Sequence, residues 1–240
     1  MENRIEIMAP AGSYESLMGA IQGGAHSVYF GVGKLNMRSR SSKNFSLDDL
    51  EKIASICREN GMKSYLALNT IIYDEEMDEV HQTIRCASDA GVSAVIASDV
   101  SVMGAARERG MEVHISTQCN ITNLAAVKFY SRFADVMVLA RELNLVQVRF
   151  ITDAIAKEGI RGPSGRLVEI EMFVDSVGAE QKIVVHDAEH KMIALDQKER
   201  ARIGPANLPG FQQNAVQNGV HAPQLSQGRK NVQDTAQVTV

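Results

Sequence analysis

The sequence predicts a parallel α/β barrel of the TIM type, incomplete at about seven strands and followed by an irregular C-terminal tail. Three observations carry this expectation. Short apolar runs alternate with longer segments of helical periodicity, in units of about 20–35 residues, as βαβ connections require. The 240 residues approach the length of about 250 that such a barrel uses. No G-x-G-x-x-G opens a helix after the first run, so the open sheet that binds dinucleotides lacks its usual fingerprint.

The elements follow in order. Ile5-Glu6-Ile7-Met8 reads as the first strand, broken at Ala9-Pro10, where proline removes a ladder donor. Ser13 caps a helix carrying Leu17, Ala20 and Ile21, which ends at Gly23-Gly24. Val28-Tyr29-Phe30 is the second strand, followed by a polar loop from Asn36 to Asn44. Ser46 caps the next helix, with Asp48 and Asp49 at its positive end, and Asn60-Gly61 stops it. The third strand, 64–68, runs into Asn69-Thr70; a helix spans about 74–89 and stops at Gly91. Strands at 94–97, 113–115 and 136–139 alternate with helices through Met103, Leu124 and 145–158. The seventh strand is 167–174.

The chain divides into a barrel domain, 1–174, and a divergent tail, 175–240. The tail is rich in Gln and Asn and holds one aromatic residue, Phe211. Residues 179–202 are expected to supply one strand and one charged helix, and the chain from about 204 is expected to be disordered. Without an eighth strand, the edges of the first and seventh strands would be left open, an aggregation liability.

Composition excludes several classes. A net charge of −4 and a pI near 5.9 rule out a broadly basic nucleic-acid-binding surface. No run of about 18 apolar residues is present to span a membrane. The N-terminus leads straight into a strand, which points to the cytoplasm. Cys57, Cys86 and Cys119 are scattered outside any C-x-x-C pair and read as free buried thiols.

TIM barrels place their sites on the loops after the strands. That rule selects Pro10 and Gly12; Asn36, Arg38, Arg40 and Asn44; Asn69; Ser98 and Asp99; Ser116, Thr117 and Gln118; and Arg141 and Glu142. Three arginines among amides suit an anionic or multiply hydrogen-bonding ligand. Glu169 and Glu171 alternate on the seventh strand and share one face, either inward, sharing a proton near the floor of the site, or outward against the helices. In the tail, His186-Asp187-Ala188-Glu189-His190 spells H-x-x-E-H. On a helix this would put two zinc ligands at i and i+4 with Glu189 as base.

The strand ends carry further motifs: Met8-Ala9-Pro10-Ala11-Gly12-Ser13, Gly24-Ala25-His26-Ser27-Val28-Tyr29-Phe30-Gly31, Asn36-Met37-Arg38 through Asn44-Phe45-Ser46, Leu68-Asn69-Thr70, Ser116-Thr117-Gln118 with Asn123, and Val138 through Leu143. In this order they resemble the peptidase U-32 family of collagenase-like peptidases, and Glu171-Met172-Phe173-Val174 resembles the start of its signature. The likeness covers about residues 4–174. It implies a peptidase, or oxygen-independent hydroxylation of RNA bases (a ribosomal cytidine, a wobble uridine in tRNA) or of the ubiquinone ring. It also implies an iron–sulfur cluster held by cysteines just after the E-x-F-V strand.

This chain departs there: Val174 is followed by Asp175-Ser176-Val177-Gly178, and no cysteine follows Cys119. No cluster is therefore expected in this chain; a truncated, frameshifted or recombined gene end is the favoured cause, and a natural variant with a replaced C-terminal part is the alternative. Three readings follow. The first is a C-terminally altered U-32 member with reduced or no activity, binding substrate through Asn36, Arg38, Arg40, Asn69, Asp99, Gln118, Arg141, Glu142 and Glu171. The second is a non-catalytic barrel that binds a ligand or RNA through Arg38, Arg40 and Lys43. The third is a zinc hydrolase built on His186, Glu189 and His190. RNA or a peptide is the expected partner.

Overall fold

The computed structural model describes residues 6–37, 39, 45–174, 184–186, 192–194 and 236–239. Seven strands, β1 (Glu6–Pro10), β2 (Ser27–Phe30), β3 (Lys63–Leu68), β4 (Ala94–Ala97), β5 (Glu112–Ile115), β6 (Val136–Val138) and β7 (Glu169–Val174), pair in sequence order, each parallel to the next. Between them run α1 (Tyr14–Gln22), α2 (Leu50–Glu59), α3 (Met77–Ala90), α4 (Val100–Glu108), α5 (Leu124–Tyr130) and α6 (Leu145–Glu158). The seven parallel strands and intervening helices read from the sequence are observed, but the barrel expected to stay incomplete is closed by an eighth strand from the tail.

Local chemistry sets the element ends. Ser13 Oγ accepts from the Ser16 N–H while Ser16 Oγ accepts from the Ser13 N–H, a reciprocal box that opens α1. Asp49 closes a similar box on Ser46, starting a 3-10 turn that runs into α2. Gly91 ends α3 in the left-handed region, φ +78°, which a side chain would disfavour. The first strand runs further than the sequence suggests. Ala9 and Pro10 stay in register with Val28 and Tyr29, because proline is tolerated at a strand end.

Alternation along the strands divides the core. Val28, Phe30, Leu66, Val95, Val113, Ile115 and Met137 pack outward against Leu17, Ile53, Ile84, Met103 and Ile151 of the helices. A smaller cluster, Met8, Tyr65, Ala94 and Ile96 with Tyr29, fills the barrel interior. Full burial of each large side chain contributes about 1.5–3 kcal/mol relative to exposure.

Within the tail, three more strands are described. β8 (Val184–His186) pairs antiparallel with β9 (Met192–Ala194), where the sequence suggested one strand and a charged helix. Val184-Val185 and Met192-Ile193 are apolar, largely β-branched pairs that favour a pleat. His186 ends a strand in register with Met192, so it is not one member of a helical i, i+4 ligand pair; Glu189 and His190 lie outside the described residues. β10 (Ala236–Thr239) lies between β7 and β1, antiparallel to both, and closes the barrel. Its four residues, Ala236-Gln237-Val238-Thr239, are too short a run to signal this in a stretch expected to be disordered. The pairing is set by two strand edges far away in the chain. The rest of the tail lies outside the described residues.

Candidate functional site

The inner faces of the strands carry an ordered stack of polar groups. At the N-terminal floor, Lys63 Nζ lies 2.6 Å from Glu6, and the Tyr65 hydroxyl donates to Glu6 Oε1 at 2.5 Å. Burial opposes charge on Glu6, but the hydrogen bonds from Lys63 and Tyr65 hold its carboxyl below the ordinary value. Arg166 bridges Glu112 at 3.1 Å and Glu169 at 3.0 Å. This end is built for stability, as the N-terminal faces of such barrels are.

Above the floor sit His114 and Glu171, both buried. His114 Nε2 faces Glu112 Oε1 at 3.4 Å, and Nδ1 faces Glu171 Oε2 at 3.8 Å. The Tyr65 ring covers the imidazole, with centroids 4.6 Å apart. Burial alone would lower the His114 pKa, but the flanking Glu112 and Glu171 raise it to about 9. Burial raises the Glu171 pKa, with His114 opposing it. The face shared by Glu169 and Glu171 is thus the interior, yet they share no proton. Residues two apart on a strand are about 6.6 Å apart along it. Glu169 is held by Arg166 at the floor, while Glu171 meets His114.

At the C-terminal rim, several candidates converge. Asn69, following β3, donates from Nδ2 to Ser116 Oγ at 3.3 Å and Gln118 Oε1 at 3.4 Å, and accepts the Met37 N–H at 3.1 Å. Gln118 Oε1 also accepts from the Ser116 hydroxyl, in a very short contact, and from the Thr117 hydroxyl at 3.4 Å. Its carbonyl end is thereby fixed while the residue stays exposed. Arg141 is exposed, with its guanidinium stacked 4.3 Å above the Phe173 ring, the next inward position above Glu171. Glu142 is exposed beside it.

Two candidates are bonded into the scaffold. Asn36 is fully buried, donating to the Val32 and Gly33 carbonyls at 3.1 and 3.3 Å. Asp99 caps α4 through Ser101 and accepts the Ile72 N–H at 3.3 Å; burial opposes its charge, but these bonds hold its pKa low. Such capping geometry is local, and loop position alone does not distinguish it from ligand binding. Arg38, Arg40 and Lys43 lie outside the described residues. His114 and Tyr65 were missed. The available signal was the alternation Glu112-x-His114-x-Ser116, which puts a histidine on the same face as a rim serine.

The cysteines do not converge. Cys57 is buried in α2, its thiol pushed up to about 11 by burial; Cys86 lies in α3, and Cys119 in the turn after β5, 3.5 Å from the Ser98 carbonyl. Among the described residues no three His, Cys, Asp or Glu side chains are grouped to hold a metal ion.

Fold and rim together define a (β/α) barrel with a polar mouth at the strand C-termini. Residues 12–178 match Peptidase family U32, and the chain belongs to that family. It is 60% identical over 171 residues to a collagenase of Porphyromonas gingivalis strain W83, covering 71% of this chain and 41% of that protein. It is 34% identical to the 23S rRNA 5-hydroxycytidine C2501 synthase of Escherichia coli K12 over 164 residues, 67% of this chain and 25% of that one. The solved U32 peptidase Mk0906 shares the fold, with a TM-score of 0.54 at 15% identity over 64% of this chain and 66% of that one. The chain spans about two fifths or less of the length of these two relatives. Among the described residues no helix is long and apolar enough to cross a membrane.

Proposed function

We propose that this chain binds a peptide or RNA ligand at the C-terminal rim of its barrel and carries little or none of the chemistry of its longer relatives. The observations that carry the binding half are an exposed Gln118 locked by its carbonyl and an exposed Arg141 stacked on Phe173, both at the rim. Both present hydrogen-bond donors to carbonyl, carboxylate or phosphate oxygens. The two classes of ligand come from relatives named for collagen cleavage and for RNA hydroxylation. The reading of reduced chemistry rests on the cysteines of this chain: Cys57, Cys86 and Cys119 lie on separate elements. We place the chain in the cytoplasm on its three free thiols and its kinship with RNA-modifying proteins.

The full chain, purified anaerobically, is expected to contain only trace iron and acid-labile sulfide and to leave gelatin uncut. Stoichiometric iron with sulfide, or gelatin cleavage abolished by Arg141→Ala, would overturn the proposal.

A further inference from the structure

Three buried polar atoms inside the barrel face one another unsatisfied. Both carboxylate oxygens of Glu171 and Nδ1 of His114 are closed to solvent and lack any hydrogen-bond partner. Glu171 is 0% exposed and His114 2%. The nearest approach between them, 3.8 Å from Nδ1 to Oε2, is too long for a direct hydrogen bond. The imidazole is held in place on its other sides, by Glu112 at Nε2 and by the Tyr65 ring across its face. Leaving a carboxylate unpaired in an apolar interior is costly, and native structures rarely do it without a bound partner.

We propose that His114 and Glu171 form a subsite for a single hydroxyl-type oxygen, a water in the free protein and the hydroxyl group of a small ligand when one reaches below the rim. An oxygen about 2.8 Å from each end of the 3.8 Å separation subtends an angle of about 85°, which allows two hydrogen bonds. The chemistry selects the ligand class. The bridging atom must accept from the imidazole Nδ1–H and donate to the carboxylate. A hydroxyl oxygen does both; an ammonium cannot accept, and a carbonyl or nitrile cannot donate. With Glu171 protonated, the same oxygen satisfies the pair by exchanging roles. The Glu171 side chain lies one inward position beneath Phe173, over which Arg141 stacks, so the subsite is one layer below the rim. It stands whether or not the chain retains catalytic activity.

The test uses the full chain with isotopically labelled histidine. The crystal structure is expected to show a solvent oxygen within about 3 Å of both His114 Nδ1 and Glu171. In solution the His114 ring protons are expected to show a cross-peak to water, retained in Glu171→Gln and lost in Glu171→Met, which cannot hold the oxygen. Methanol is expected to shift the His114 ring resonances saturably, whereas acetonitrile, similar in size but only an acceptor, leaves them in place. A direct Nδ1–carboxylate hydrogen bond with nothing between, an empty gap, or equal responses to the two probes would each overturn the proposal.

Discussion

His114 shows how neighbours from three strands set the charge of one residue. Its ordinary pKa of 6.5 is raised to about 9 in the fold, with Glu112 on β5, Glu171 on β7 and Tyr65 on β3 packed around it. A raised folded value means the stabilisation is fully present below about pH 6.5 and is lost as pH rises through about 9. Thermal melts from pH 6 to 10 are therefore expected to show falling stability across that window, with the fall flattened in His114→Gln. A second residue acts by fit. A Cβ on Gly31 would stand 2.4 Å from Asn36 Cγ, so Gly31→Ala is expected to displace the buried amide and cost about 1–3 kcal/mol, measured by urea denaturation. Neither effect was legible in the sequence. Gly31 read as a strand stop and Asn36 as a ligand contact, because the side chain that fills the glycine's empty space comes from five residues further on.

The elements divide by how local their causes are. Ser13 and Ser46 were readable as caps because each is completed by a side chain within three residues. Asn144 is the same kind of signal: it accepts the Gln147 N–H at 3.0 Å, while Gln147 Oε1 accepts the Asn144 N–H at 2.9 Å, opening α6. Asn144→Ala is expected to cost about 1 kcal/mol and Asn144→Asp much less, read as shifts in the chemical-denaturation midpoint. The facing of β7 was not readable. Alternation puts Glu169 and Glu171 together whichever way they point, and only the closed sheet, with His114 brought from β5, turns them inward. β10 was less legible still, since the alternation in its four residues, Ala236-Gln237-Val238-Thr239, is too short to stand out and its place is set by pairing with β1 and β7.

The whole barrel is closed by that short antiparallel strand where the seven others are parallel. The backbone of Val238 is in register with Ile7 on one side and Met172 on the other. Val238→Pro removes an N–H from this ladder and is expected to expose a strand edge, so light scattering of the concentrated variant should show association that the parent lacks. The mouth of the same barrel carries the central claim. The direct measurement is equilibrium binding of fluorescent single-stranded RNA and of a fluorescent gelatin peptide to the full chain and to Gln118→Ala/Arg141→Ala, with circular dichroism verifying that both are folded. The account predicts that one of the two probes binds the parent and loses at least about tenfold in affinity, about 1.4 kcal/mol, in the double variant. Equal binding by parent and variant, or binding of neither probe, would contradict it.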